Sequence, residues 1–393
     1  MRLVWLLITG FACWAGSLGH GGSTYPTPVD SGDLGLSPYI YTGLVGAGDW
    51  SGSGSVAVHP RLVLGAAHVN FADNNTWLPP GSIQWFWKWN QGDFPEDSDG
   101  IFLTGYYYFS TYRANAIKYG GADPRSFQFD FVANYSATQN TAGGLAAGWV
   151  EDGKKALTTG NRSKIISGYP AGRYEAGDPD EYRMHSTEFS DDLEVDRDNY
   201  LGLDFVETGP GNSGGPIWVW DSGRWAIAGV LVSGLEWASD GWSSLGVCSL
   251  NPGAWSLIVS ALQQTGQVGD LLKKTVVLGN VPAVIPDQAS VGRTFTVSGM
   301  VGLVQQVKLS LNIKHSRQGD LVVTLRSPSG KTVTLLSAVA KRGSSKANFT
   351  LSGKAVAGFS GLAANGVWVV TVKDSYRDNT GSLQSGSLEI TTR

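Results

Sequence analysis

The chain has 393 residues, a formal net charge of -4 and only 16% charged residues. It therefore has no basic excess to neutralise a phosphate backbone, and nucleic acid is not an expected partner. Its 53 glycines, 15 tryptophans and 14 tyrosines favour short strands joined by tight turns over a helix bundle.

The N-terminus opens Met1-Arg2 and then Leu3-Val4-Trp5-Leu6-Leu7-Ile8, a charged start and an apolar run too short for the ~20 residues of a bilayer span. With small residues at Ser17 and Gly19, residues 1–19 read as a signal peptide cleaved before His20. The expected location is secreted or periplasmic. No later stretch is long and apolar enough for stable membrane insertion. Residues 20–40 read as an N-terminal segment or short propeptide. Cys13 leaves with the signal, so Cys248 is the remaining thiol; no intramolecular disulfide is expected, and stability rests on a buried core.

Strand-like runs follow at Ser55–Val58, Arg61–Leu64, Ile83–Trp87, Phe127–Phe129, Lys164–Ile166, Pro216–Trp220 and Trp225–Val230. His59-Pro60 reads as the turn of a hairpin, which places His68 just past its second strand. The one clear helical pattern follows Asn251-Pro252-Gly253, with Trp255, Leu257, Ile258 and Leu262 on one side. A first domain over 41–263, a linker over 264–274 and a second domain over 275–393 are expected. In the second, alternation is regular in Val307–Ile313 and Leu321–Leu325, which predicts a β-sandwich of ordinary size.

Two strings carry chemistry. Gly211-Asn212-Ser213-Gly214-Gly215-Pro216 sets a serine among small residues, where the backbone turns tightly and leaves the hydroxyl and nearby N–H groups open to a ligand. Gly65-Ala66-Ala67-His68 ends an apolar strand with a histidine. A serine hydroxyl is a poor nucleophile until a base takes its proton, and a base with a pKa near neutrality suits that task. Of the five histidines, His20 lies at the mature terminus, His59 in a turn, His185 in a polar run and His315 in the second domain. His68 is the base by position. For the carboxylate that orients it, Asp130 within Phe127-Gln128-Phe129-Asp130-Phe131-Val132-Ala133 is an aspartate in an apolar strand context, where burial without a partner costs several kcal/mol.

These motifs, in the order His, Asp, Ser, resemble those of trypsin-like serine peptidases of the chymotrypsin fold, over roughly residues 41–263. The resemblance implies an all-β, double β-barrel domain that hydrolyses protein or peptide substrates with His68, Asp130 and Ser213. It also implies an oxyanion hole from the N–H groups of Gly211 and Ser213, and no cofactor for the chemistry. Asn212 stands where the family commonly has an aspartate that pairs with a newly cut terminal amine; being neutral, it cannot form that ion pair. Gly65 replaces the usual threonine, and the absence of disulfides makes the domain similar to bacterial secreted members.

Glu207 lies where trypsin-like enzymes carry the acid at the base of the primary pocket, which favours Arg or Lys before the cleaved bond. The run Thr208–Ser213 also resembles that of glutamyl endopeptidases, yet Gly229–Gly234 lacks the histidine expected there. Thr208, Ser233 and Gly234 complete the substrate-binding set by this resemblance.

In the second domain, His315-Ser316-Arg317-Gln318-Gly319-Asp320-Leu321, Leu325-Arg326-Ser327-Pro328-Ser329-Gly330, Asn365–Asp374 and Asp378–Leu383 resemble the P domain of proprotein convertases. That implies a jelly-roll β-sandwich accompanying a peptidase. Asp320, Asp374 and Asp378 are candidate ligands for a structural Ca²⁺, a hard ion that prefers oxygen; as turn aspartates they need no ion. Gly386 stands where a tryptophan is frequent. The rival functional reading is a catalytically inactive protease-fold binding protein whose P domain mediates attachment.

Overall fold

The computed structural model describes residues 26–47, 50–71, 76–170, 180, 182–204, 206, 208–237, 242–266, 269–338 and 347–392. The expected signal peptide and Glu207 lie outside them. The chain divides into two compact units, Met1–Gly266 and Gln267–Arg393.

The first unit contains two sheets, antiparallel but for one short parallel pair, Gly148–Trp149 against Arg224–Trp237. In one, the ladder runs Ile101–Phe102, Ile83–Trp87, Thr42–Ala47, Trp50–Ser55, Leu62–Gly65, Val132–Tyr135 and Gly105–Tyr108. Its two edge segments are joined by two residues. Leu103 N–H bonds Ile83 O at 2.9 Å and the next N–H, of Thr104, bonds Tyr135 O at 2.8 Å. One kinked segment therefore pairs with both neighbours and closes the sheet into a barrel, leaving no open edge between them. Leu44, Leu62, Leu64, Trp85 and Phe131 are fully or almost fully buried in this part of the unit.

The other sheet runs from Thr27–Pro28 and His185–Phe189 through Lys164–Gly168, Pro216–Asp221, Arg224–Trp237 and Trp242–Ser249 to Tyr200–Asp204 and Glu194–Arg197. Leu157, Ile166, Leu201, Ile217, Val219 and Val247 form its core. The two sheets meet through hydroxyls: Thr42 and Ser167 share a hydrogen bond of 2.7 Å, and the Trp218 indole N–H donates to Ser167 Oγ at 3.0 Å.

The helix Pro252–Thr265 starts where its signals lie. Asn251 Oδ1 accepts the N–H groups of Gly253 and Ala254 at 2.9 and 3.1 Å, Pro252 occupies the first turn, and Gly266 ends the helix at φ 65°. Several segments depart from the reading of the sequence, beginning with the strand expected at Ser55–Val58, which is instead Trp50–Ser55. Phe127 closes a helical turn, Pro124–Phe127, because Asp123 caps it and Pro124 favours its start. A second helix, Ser110–Tyr119, buries only Tyr112 and Ala116, so it carries little apolar periodicity to read.

The second unit is a β-sandwich. Its sheets contain Lys273–Val277, Ala283–Ile285, Val304–His315, Phe349–Ala355 and Gly381–Thr392 on one side, and Ser290–Val297, Leu321–Arg326, Thr332–Leu336 and Gly366–Asp374 on the other. Phe295, Leu309, Leu325, Trp368 and Leu388 pack between them. Lys273 and Lys274, placed in the expected linker, instead pair with Thr391 and Ile390. At Gly386 the volume of a larger side chain is already taken: an added Cβ would lie 2.6 Å from Leu278 Cδ1 and 2.8 Å from Leu311 Cδ2.

Candidate active site

Strand register brings the histidine and aspartate together. Leu62–Gly65 pairs with Val132–Tyr135 so that Gly65 faces Val132, and both functional residues lie just beyond that pair. His68 sits in the 3₁₀ turn Ala67–Asn70, and Asp130 in the loop entering the Val132 strand. Asp130 thus occupies a loop after a helical turn, not the strand expected for it.

Asp130 is fully buried and spends both oxygens on one residue. His68 N–H donates to Oδ1 at 2.8 Å, while ring Nδ1 lies 2.6 Å from Oδ2. Two bonds from one carboxylate fix both the backbone and the ring, and assign the Nδ1 proton to the aspartate side. The ring is 31% exposed, and its Nε2 makes no hydrogen bond among the described residues. Burial of the ring works against its protonation, but the Asp130 charge and hydrogen bond outweigh that and raise the His68 pKa above its ordinary value of 6.5. Burial, with the same charge added, pushes up the Cys248 thiol and the Tyr112 phenol. Cys248 is a buried free thiol.

Ser213 stands in a turn between Gly211 and Gly214, at φ 88° and 84°. The turn rests against the edge that carries His68. At Gly214, a Cβ would lie 2.3 Å from Ser53 O and 2.8 Å from Ala66 N; at Gly52, a Cβ would meet both Val69 Cγ2 at 2.7 Å and Ser213 O at 3.0 Å. Glycine is required at 214 on two counts, its left-handed backbone and this close approach.

Successive peptides of the turn are pinned. Asn212 N–H bonds Gly209 O at 3.1 Å, Gly215 N–H bonds Asn212 O at 2.8 Å, and Gly214 N–H bonds Leu231 O at 2.7 Å. The N–H groups of Gly211 and Ser213 make no hydrogen bond among the described residues. Two unused donors in an otherwise satisfied turn are available for an external oxygen. Asn212 is buried, and its Oδ1 fills the space above Gly168, where a Cβ would lie 2.8 Å away.

Beside the turn, Thr208 is 7% exposed and its Oγ1 has no hydrogen-bond partner among the described residues. Gly234 passes directly over it, since a Cβ there would lie 2.4 Å from Thr208 Oγ1. Ser233 faces the other way and shares a 2.8 Å hydrogen bond with the Tyr200 hydroxyl, a residue the sequence did not single out. Burial raises the Tyr200 pKa to about 12.

Elsewhere, His59 accepts the Arg61 N–H at 3.2 Å and its burial lowers its pKa, while His185 is buried beside the Arg183 carbonyl. Two of the candidate Ca²⁺ ligands are occupied by protein partners. Asp374 accepts the Tyr376 N–H at 3.1 Å and lies 3.2 Å from His315 Nε2. Asp320 accepts from Asn379 at 3.1 Å, and Asp378 is exposed. Among the described residues no group of three or more His, Cys, Asp and Glu side chains is arranged to hold a metal. No helix among them is long and apolar enough to cross a membrane.

A closed antiparallel barrel beside a second, mainly antiparallel sheet, with the His68–Asp130 pair on one and the Ser213 turn on the other, makes the first unit an all-β unit. Residues 304–390 match the family model of the proprotein convertase P-domain, so a P domain occupies that part of the sandwich. The Leupeptin-inactivating enzyme 1 of Streptomyces exfoliatus is 36% identical over 104 residues, 26% of this chain and 23% of that protein. The chain thus spans less than a quarter of the length of the curated relative it matches. Among solved structures, a Glu endopeptidase in complex with MPD is similar at a TM-score of 0.43 and 18% identity, covering 63% of this chain and 98% of that one. The thermostable serine protease AL20 from an extremophilic microorganism gives 0.41 and 12%, covering 57% and 97%.

Proposed function

We propose that this chain is an exported serine endopeptidase in which Ser213 is the nucleophile, His68 the general base and acid, and Asp130 the group that orients His68. The observation that carries the reading is the single buried carboxylate holding both the backbone and Nδ1 of His68, with the serine turn docked on the same edge.

In the reaction, Ser213 Oγ attacks the scissile carbonyl carbon while its proton passes to His68 Nε2. The carbonyl oxygen becomes an oxyanion that accepts hydrogen bonds from the N–H groups of Gly211 and Ser213. Two such preorganised donors stabilise it by several kcal/mol. When the tetrahedral intermediate collapses, His68 gives its proton to the leaving nitrogen and the C–N bond breaks. Water then enters by the same route, with His68 taking its proton, and releases the acid from Ser213. Asp130 remains ionised throughout and holds the imidazolium that forms twice per turnover.

The primary pocket in this reading is floored by Thr208 and crossed by Gly234, with Glu207 supplying the charge that favours Arg or Lys. The P domain serves folding, docking or attachment. Hydrolysis of a mixed peptide library by wild type and Ser213→Ala tests the reaction. Cleavage by wild type alone supports it, and equal cleavage by both overturns it. Comparing Arg and Glu reporter peptides with wild type and Glu207→Gln tests the pocket, because an unchanged Arg preference removes Glu207 from it.

A further inference from the structure

We infer that Ser53 is a positioning residue for the oxyanion hole, a role that rests on the peptidase reading above. Ser53 lies on the Trp50–Ser55 strand of the closed barrel and is 1% exposed. It holds the nucleophile turn at two points. Its Oγ donates to Gly211 O at 2.7 Å, across 158 residues of sequence, and its backbone N–H donates to Ser213 O at 2.7 Å. The same Oγ accepts the Tyr169 N–H at 2.9 Å, so the hydroxyl proton is committed to Gly211.

Each carbonyl bond immobilises a whole peptide plane. Ser53 holds the carbonyl side of the planes 211–212 and 213–214, whose N–H groups bond Gly209 O and Leu231 O, and these planes flank the one carrying the Ser213 N–H. The inner plane is held by Gly215 alone. Removing the hydroxyl leaves the Gly211 carbonyl without that donor, beside a residue at φ 88° whose glycine backbone has other conformations open to it. The donors then have to be reoriented during the reaction instead of before it, and that reorganisation is what a preorganised hole avoids. No ground-state contact of the substrate is removed, so the effect falls on kcat and not on KM.

The test compares wild type, Ser53→Ala and Ser249→Ala, the last removing an equally buried hydroxyl that bonds Asn199 O and not the turn. Active sites are titrated with a fluorophosphonate, and kcat, KM and inhibition by a peptide aldehyde are measured per titrated site. The expected result for Ser53→Ala is a kcat lower by about tenfold or more, against the ~10²–10³ for loss of a direct donor. KM stays within about twofold and aldehyde inhibition weakens in step with kcat; Ser249→Ala is unchanged. A Ser53→Ala enzyme with lower melting temperature but wild-type kcat per site overturns the proposal and leaves the peptidase reading standing. A wild type that neither labels nor cleaves overturns both. If Ser53→Ala does not fold, Ser53→Cys, with a similar shape and a weaker donor, is read in the same way.

Discussion

The described residues include two His–Asp pairs, one in each unit, and they differ in what the ring has left to offer. In the first unit, Asp130 grips the backbone N–H and Nδ1 of His68, and the ring keeps 31% exposure. In the second, the His315 ring is fully buried: Nε2 lies 3.2 Å from Asp374 and Nδ1 contacts the Arg317 carbonyl at 2.8 Å. Both nitrogens of His315 are spent on the sandwich. Among the described residues His68 has one to spare, next to a serine turn with two unused donors. In the peptidase reading proposed above, it is this free ring nitrogen, more than the carboxylate beside it, that separates the His68 pair from the structural one.

The contrast is broken most sharply by substitutions in the first unit. Ser213→Ala is expected to lower kcat by about 10⁴-fold or more without loss of folding, since the group that forms the acyl bond is gone. Residual activity near wild type would contradict the assignment. Asp130→Asn is expected to cost on the order of 10³–10⁴ in kcat, because an amide cannot hold the same tautomer or balance the imidazolium. It should also move the acid limb of the pH–kcat/KM profile to lower pH. Asp374→Asn provides the mirror image. It is expected to destabilise the second unit by about 1–3 kcal/mol, the usual cost of a disturbed buried hydrogen bond, measured by thermal or denaturant unfolding, with kcat unaltered.

The smallest effect is the position of the wild-type acid limb. Because Asp130 raises the His68 pKa, the neutral base forms only as pH passes above about 6.5, and kcat/KM rises there. A midpoint below about 6.5 would contradict the electrostatics described. Linkage carries the same sign: the raised folded pKa contributes stability that is fully present below the unfolded value of about 6.5 and is lost as pH climbs through the folded one.

The sequence makes the ends of these contacts legible, and the contacts themselves much less so. His68 and Ser213 announce themselves through short strings whose glycines and alanines are needed where the backbone turns or packs against its neighbour, as at Gly214. Asp130 is found for its apolar surroundings, although Asp123 and Pro124 fold those surroundings into a helical turn and a loop. Ser53 gives no such signal. Its partner is 158 residues away, and the alternation Ser51-Gly52-Ser53-Gly54-Ser55 reads equally well as a flexible stretch. Thr208 beneath Gly234 and Tyr200 against Ser233 are likewise products of sheet register. The strand at Lys273–Val277 is hidden by its composition, since its lysines pair at the edge of a sheet with one exposed face.

The central claim is an activated serine, and its most direct measurement is the rate of fluorophosphonate labelling of the processed protein from about pH 5 to about pH 9, with the labelled residue mapped by mass spectrometry. The account predicts stoichiometric labelling at Ser213, at a rate that rises as a group with a pKa above about 6.5 loses its proton and that collapses in His68→Ala. Labelling at another residue, or at Ser213 with no dependence on His68, would contradict it.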